Sequence, residues 1–541
     1  MENLQWRAIA ALVISLIIIL AWDFFVGVPG PKTPPPPAAQ QSQVAQQAAP
    51  VAATPTIAPA PPGTTAAHPA RDVVVVTPLY RAVFSEQGAR LKSFELYKFR
   101  ESVDKNSPPK ELVRINNPAQ WPLGLALLKP AVNTDGAVYT ANIQNLDLTG
   151  SGPQQAAVSF ELTTREGVRV VKRFGFQRDL YRIDLNVVVQ NVGTQPIEAE
   201  PSLSLTSLPF GHDDRAYHPT AVSVGGKVET VSSNKLEEPK VIRGNVQWAA
   251  YDEPFFVSAL VPQDQTVHVR LASSGPLVTE SVISRPEQIA PGASHTYAYG
   301  IYYGPKQMKV LEAQKLGLES VIEYGWFDII AKPLMVLLNW MYDVTHNYGL
   351  AIILLTVLIK LIFWPLSHKS YRSMKEMQKL QPKLAQLKEK YKGDTAKLNQ
   401  EMLDLYRTYK VNPMGGCLPM VAQIPVFFAL YRVLQYSIEL RHAPFVGWIN
   451  DLSAPDRLAV GFQVPYVGGL PVLTLLMGVS MWLQQKMTPV TGDPAQAKMM
   501  QVLPIVFTFM FIYFPSGLVL YWLVNNVLSI GQQYYINHHT A

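Results

Sequence analysis

Residues 350–366 read Leu-Ala-Ile-Ile-Leu-Leu-Thr-Val-Leu-Ile-Lys-Leu-Ile-Phe-Trp-Pro-Leu, with Lys360 as the one charge, and no other stretch restricts the fold so tightly. A helix of about twenty apolar residues matches a hydrocarbon layer roughly 30 Å thick, so the stretch predicts a membrane span over 347–366. Further spans are predicted at 418–437, 464–485, 499–514 and 517–535. Joined as one helix, the last two would be too long for a single crossing, and Pro515-Ser516-Gly517 supplies a break. A charged fraction of 16% beside 48% hydrophobic residues is low in charge for a soluble chain of 541 residues, as such clustering requires.

A sixth apolar run, residues 8–28, has Asp23 as its only charge and predicts an uncleaved anchor within 1–28. A cleaved signal peptide is the competing reading, disfavoured because Trp22-Asp23-Phe24-Phe25 replaces the small residues of a cleavage site. Residues 29–70 are rich in Pro, Ala, Gln and Thr and predict a disordered tether. Over 71–320 short β-type runs recur between turn signals. The run from Tyr181 to Val189 alternates apolar with polar residues and ends at Asn191-Val192-Gly193, as a half-buried strand should. So many strands predict an all-β sandwich. Asp213, Asp214, Asp252 and Glu253 read as solvated loop carboxylates rather than a catalytic pair. In 321–345, Trp326, Ile330, Leu334, Leu337 and Met341 recur every three or four residues, while Asp328, Lys332, Asn339 and Asp343 interrupt the apolar run. The pattern predicts an amphipathic helix at the membrane interface, with a soluble core helix as the other reading.

Residues 368–412 contain Lys375, Lys379, Lys383, Lys388 and Arg407 among many bases and few acids. Under the positive-inside rule this loop is cytoplasmic; both termini are then cytoplasmic and the β domain is exported, into the periplasm in a bacterium. The net charge of +6 is read as this topology signal, so no direct DNA binding is expected. Met377, Leu380, Leu384, Leu387 and Tyr391, then Leu398, Met402, Leu405 and Tyr409, make the seam of an antiparallel helical hairpin, its first arm kinked by Pro382. The hairpin is either a solvated structural element or a docking platform for a ribosome, targeting factor or nascent chain.

No hydrolase elbow, phosphate loop or dinucleotide fingerprint is present. The single cysteine, Cys417, excludes an internal disulfide and a Cys-based metal site, and the ten histidines form no HExxH spacing, so neither metal nor cofactor is expected. Lys360 carries the chemistry. A lysine inside a span costs about 2.5–3.5 kcal/mol on insertion scales, so it is expected to face water or a partner; snorkelling to headgroups roughly 9 Å away is the alternative. Thr356 one turn earlier, Gln423 in the third span, and Tyr521, Asn525 and Ser529 at a spacing of four along the sixth favour a water-filled groove. The spans offer no acid as a fixed counter-ion. Polar stripes also serve to bind helices together.

Asn412-Pro413-Met414-Gly415-Gly416-Cys417, Gln423-Ile424-Pro425, Glu439-Leu440-Arg441, Trp448-Ile449, Asp451-Leu452-Ser453 and the run from Phe514 to Trp522 together resemble the YidC family of membrane protein insertases. The resemblance covers 324–533, in the Gram-negative form with an extra first span and a large periplasmic domain. Lys172-Arg173-Phe174 and the Tyr181 strand are more loosely similar to that family's β-supersandwich, related to sugar mutarotases. The implied architecture is a multi-domain membrane protein with six transmembrane helices: a five-helix insertase core plus the N-terminal anchor, with an all-β periplasmic supersandwich and a cytoplasmic helical hairpin. The implied activity is insertion and assisted folding of inner-membrane proteins, alone or with the Sec translocon, and not enzymatic catalysis. This sequence departs from the family pattern in three places. Lys360 stands where the family has a groove arginine, keeping the charge but losing the planar fork. Trp522 falls where some members have a substrate-contacting tyrosine, so Tyr521 and Trp522 are both candidates. The tail after Tyr535 lacks the basic extension of some relatives.

The expected machine is a groove lined by Thr356, Lys360, Gln423, Tyr521 or Trp522, and Asn525, open to cytoplasm and lipid and closed outside. Phe427, Phe428, Phe507, Phe509 and Phe511 form the apolar surface along which substrate slides into lipid. Expected partners are nascent membrane proteins, the bilayer, the Sec translocon and, through the basic hairpin, a ribosome or the signal recognition particle pathway. The rival readings are a membrane-tethered periplasmic carbohydrate-binding or mutarotase-like protein, and a transporter, for which repeated halves are missing.

Overall fold

The computed structural model describes residues 69–132, 134–210, 219–264, 267–409, 411, 418–461, 467–487 and 494–539. The expected anchor, all but the last two residues of the tether, Asp213, Asp214 and the motif 412–417 lie outside them. The chain forms two compact units that part between Ile322 and Glu323.

The first unit is built of β-strands. Its largest sheet has nine strands, in which Arg182–Asn191 pairs antiparallel with Val168–Gln177 on one side and Ser294–Pro305 on the other. Two five-stranded sheets accompany it, one containing Asp72–Val76, Tyr80–Ser85 and Arg90–Arg100, the other His268–Ser274, Leu277–Ile283 and Pro201–Ser207. Period-two patterning explains the packing. Along Arg182–Asn191, Ile183, Leu185, Val187 and Val189 are buried, and Leu185 lies opposite Phe174 and Ile183 opposite Phe176. A short helix, α1 (Met308–Gln314), follows the last strand.

Lys172 and Glu280 are ionisable residues at inward positions. Lys172 lies between Val170 and Phe174 on the buried face, 0% exposed, and its Nζ donates to the carbonyls of Gly88 at 3.1 Å, Ala89 at 2.6 Å and Leu123 at 2.6 Å. All three acceptors belong to residues with left-handed backbone, φ 70°, 46° and 67°. For a non-glycine residue that conformation costs about 1–2 kcal/mol, so the ammonium holds two turns that the backbone disfavours. Burial pushes Lys172 down to about 7. Glu280 occupies an inward position of Leu277–Ile283, and among the described residues neither carboxyl oxygen has a hydrogen-bond partner. Burial first, and the Asp252 charge second, raise it well above the usual carboxylate range.

The expectation that Asp252 and Glu253 are solvated is corrected. Asp252 pairs with Lys306 at 2.6 Å, and buried Glu253 accepts from the Phe210 N–H at 2.7 Å, since carboxylates packed against a sheet need such donors.

The second unit is helical: α2 (Asp328–Thr345), α3 (Tyr348–Ile362), α4 (Trp364–Lys379), α5 (Gln381–Lys390), α6 (Thr395–Thr408), α7 (Leu418–Tyr436), α8 (Val472–Met487), α9 (Pro494–Phe511) and α10 (Ser516–His539). No single described helix is long and apolar enough to cross a membrane; α3 and α4 qualify only together, bent by 64° at their junction. The span expected over 347–366 is thus broken. Pro365, in the first turn of α4, has no N–H to continue the α3 ladder, so a new helix begins after Phe363. Of the span expected over 464–485, residues 467–471 are not helical and the helix begins at Val472, behind Pro471 and Gly468, whose φ is 81°. Helix α9 begins before the expected 499 and ends at Phe511 rather than 514, while α10 extends beyond the expected 517–535 at both ends.

The helix expected over 321–345 begins at Asp328, after the short 3-10 turns Leu318–Val321 and Gly325–Phe327. Its Leu338 and Met341 face the unit, while Ile329, Val336, Trp340 and Val344 form an exposed apolar row. The first arm of the hairpin stops at Leu380 and restarts as α5 with Pro382 in its first turn. Met377, Leu380 and Val411 are buried together against Tyr406.

Glu280 yields a pH test. Its folded value is raised, so the unfolded chain releases a proton that the folded chain keeps, and this group's contribution to stability falls as pH rises above the ordinary carboxylate value. Glu280→Gln is expected to raise the thermal unfolding midpoint of the full chain in detergent at about pH 8, by the equivalent of about 1 kcal/mol or more, and to flatten its decline from about pH 5. Equal slopes for variant and parent would contradict the assignment.

Candidate functional site

Tyr521, Asn525 and Ser529 recur every four residues along α10 and so share one face, which packs toward α3 and α7. Lys360 lies two residues from the end of α3. Its Nζ donates to Ser529 Oγ at 2.6 Å and to Asn525 Oδ1 at 3.2 Å. From α7, Gln423 Nε2 donates to the same Asn525 oxygen at 3.0 Å and to the Tyr521 hydroxyl at 3.1 Å. Asn525 is therefore a shared acceptor that joins three helices. Every partner of the ammonium is a neutral oxygen, and among the described residues no carboxylate forms an ion pair with it. An ammonium has three N–H groups, so a half-buried Lys360 with two such partners keeps one donor for an incoming acceptor.

Thr356 does not join this cluster. It is buried, and its hydroxyl donates to the Ile352 carbonyl at 2.6 Å, the usual way for a mid-helix threonine to satisfy itself. Tyr521 and Trp522 take different sides of α10. Tyr521 points its hydroxyl at Gln423, whereas Trp522 sits among Phe427, Phe511 and Phe507, with ring centroids 4.8, 5.2 and 6.0 Å away. The expected sliding surface is corrected accordingly. Phe511 is buried, and Phe427, Phe507 and Phe511 are gathered around one indole because offset and edge-on aromatic contacts outweigh their display to solvent. Phe428 stacks on Phe327 at 5.6 Å, and Phe509 is exposed.

On the hairpin, Lys379, Lys383 and Arg407 are exposed, while Lys375 and Lys388 are half-buried. Lys383 lies 4.4 Å from the centre of the Tyr409 ring, and Arg407 is 3.6 Å from Asp404. Sequence reasoning placed Ser529 in the polar stripe with Tyr521 and Asn525 but not among the residues lining the groove. It also missed the buried pair Asn526–Ser480, at 3.0 Å, which sits on a neighbouring face of α10.

Comparison with known proteins agrees with this two-part architecture. Residues 72–337 match the model of the YidC periplasmic domain, and residues 340–541 match that of the 60Kd inner membrane protein. The membrane protein insertase YidC of Syntrophobacter fumaroxidans is 42% identical over 565 residues, covering 99% of this chain and 100% of that one. The protein of the same name from Syntrophus aciditrophicus is 42% identical over 552 residues, 98% of this chain and 99% of its own, and that from a Geobacter species is 45% identical over 478 residues, 86% of each. A crystal structure of an active YidC insertase with its first transmembrane domain resolved aligns over 89% of this chain and 95% of that one, at 19% identity and a TM-score of 0.38. A galactose mutarotase related enzyme from Lactobacillus acidophilus aligns over 43% of this chain and 97% of its own, at 11% identity and a TM-score of 0.33.

The chain is thus of the class of inner-membrane proteins that carry a periplasmic all-β domain. It belongs to the YidC family of membrane protein insertases, which is not a family of enzymes.

The shared acceptor makes the cluster cooperative. Asn525→Leu is expected to cost about 2–4 kcal/mol by leaving two donors unpaired, and Gln423→Leu about 1 kcal/mol. The double variant should cost less than the sum, because both changes remove the same bond. Denaturant unfolding of the four proteins measures the coupling; additive costs would mean that the two residues do not share a bond.

Proposed function

We propose that this protein inserts integral inner-membrane proteins, and helps them fold, through a hydrated groove built around Lys360, Gln423, Tyr521 and Asn525. The observation that carries the reading is the half-buried Lys360 ammonium, bound among the described residues by neutral oxygens. A permanent carboxylate partner would cancel its charge; asparagine and serine oxygens hold it in place and leave its field outward. At about 4 Å and an effective dielectric near 20, attraction to an acidic residue is worth on the order of 4 kcal/mol before desolvation. That favours entry of a polar tail into the groove and shortens its path through hydrocarbon. The apolar part of the substrate passes into lipid past exposed Phe509, Ile505 and Val502 of α9, and that partition drives the process.

Helices α3, α7, α8, α9 and α10 are the five spans of the core, with residues 1–28 as the sixth. Exposed apolar side chains on α8 (Leu475, Leu476, Val479, Trp482, Leu483) and α9 suit a lipid solvent. The loop after α7 bonds to the starts of α3, α8 and α10 and to the end of α9, which supports a topology with these ends on one side. Charge places that side outside and the hairpin, with both termini, in the cytoplasm. The exposed row of α2 lies along the interface, with Trp326 and Trp340 at headgroup depth. The protein works alone or with the Sec translocon, and the basic hairpin receives a ribosome or a signal-recognition component.

Insertion into proteoliposomes tests the electrostatics. Lys360→Ala is expected to reduce insertion of a substrate with an acidic translocated tail about tenfold, equivalent to about 1.4 kcal/mol, with a smaller effect on a neutral tail; Lys360→Arg should retain activity. Parent-like insertion of the acidic substrate by Lys360→Glu would refute the role of the charge.

A further inference from the structure

The loop joining α7 to α8 is stitched to the ends of four helices. At the start of α3, the Phe445 ring fills the notch at Gly349, where a Cβ would come within 2.0 Å of it, and Asn347 Nδ2 donates to the Phe445 carbonyl at 3.2 Å. At the start of α10, Gly517 N–H donates to the carbonyl of buried Leu452 at 2.9 Å, and Ser516 Oγ donates to that of Asp451 at 2.8 Å. At the end of α9, the Ile512 carbonyl accepts from Arg457 Nη2 at 2.8 Å.

The connection to α8 runs through one carboxylate. Asp456, 3% exposed, accepts from the Leu473 and Thr474 N–H groups with Oδ2, at 2.5 and 3.3 Å, and from Trp448 Nε1 with Oδ1, at 2.6 Å. A carboxylate on the first turn of a helix satisfies otherwise unbonded N–H groups and meets the positive end of the helix dipole. The Trp448 bond folds the middle of the loop back onto the same group. Ile449 and Leu452 are thereby held down as an apolar layer. Along α10, Tyr521 follows Gly517 by only about 6 Å, so this layer lies one turn from the Gln423–Tyr521 pair.

We propose that Asp456 is a positioning residue that latches this loop as a seal over the outer end of the Lys360 site, so that the site is wetted from the cytoplasmic side alone. The proposal rests on the groove reading above. A site wet at both ends would be a continuous aqueous path across the membrane. Sealing therefore has to be maintained while a polar segment occupies the groove.

The test uses the full chain with Cys417→Ser and Asn525→Cys, reconstituted in vesicles of known orientation and labelled by a membrane-impermeant maleimide from each side. With the latch intact, labelling is expected from the cytoplasmic side and at least tenfold slower from the outer side. Asp456→Asn puts an amide N–H₂ against a bound donor, and Trp448→Phe removes the indole donor while keeping the bulk. Each should raise outer-side labelling about tenfold or more and leave cytoplasmic-side labelling unchanged. Trp448→Phe keeps the helix cap, so it answers even where Asp456→Asn fails to fold. Equal labelling from both sides of the latch-intact protein, or unchanged outer-side labelling in Trp448→Phe, overturns the seal. Absence of labelling from either side overturns the groove, and the seal with it.

Discussion

Lys360 is held among packed helices by Ser529 and Asn525, which supply acceptors without supplying an opposite charge. A carboxylate in either position would bind the ammonium more strongly and end its usefulness to an incoming chain. A purely apolar surround would leave it without partners at a cost of several kcal/mol. The other helices follow from this compromise. Gln423 must come from α7 to share the Asn525 oxygen, and α10 must present three polar residues at one spacing to meet both neighbours. On the adjoining face Trp522 gathers three phenylalanines, so polar and aromatic clusters sit side by side on one helix.

The β unit solves a related problem in the opposite sense. Lys172 also lies where a hydrophobic residue belongs, but three backbone carbonyls use all its donors, and none remains for a visitor. It is a structural cross-tie between a strand and two strained turns. Asp252 and Glu253 are likewise committed, to Lys306 and to the Phe210 backbone. Of these two lysines, Lys360 is the one with a donor to spare.

Much of this was legible in the sequence, for physical reasons that differ by element. The alternation in Tyr181–Val189 reports a half-buried strand directly, because side chains on a strand have only two directions. The Tyr521, Asn525 and Ser529 spacing reports one helix face in the same way. Thr356 shared that logic and was misjudged: its own backbone competes for the hydroxyl, and a sequence does not show which acceptor wins. Phe511 was misjudged because apolarity does not distinguish lipid from neighbouring aromatics. The Asp456 contacts were invisible, since they join residues far apart along an irregular loop with no period to read.

The break between α3 and α4 has a mechanical consequence. Lys360 stands three residues before the joint at Phe363, and α4 leads without interruption to the basic hairpin. Under the docking proposed above, α4 would act as a lever arm whose fulcrum at Phe363 is next to the ammonium, ending where the helix breaks at Leu380.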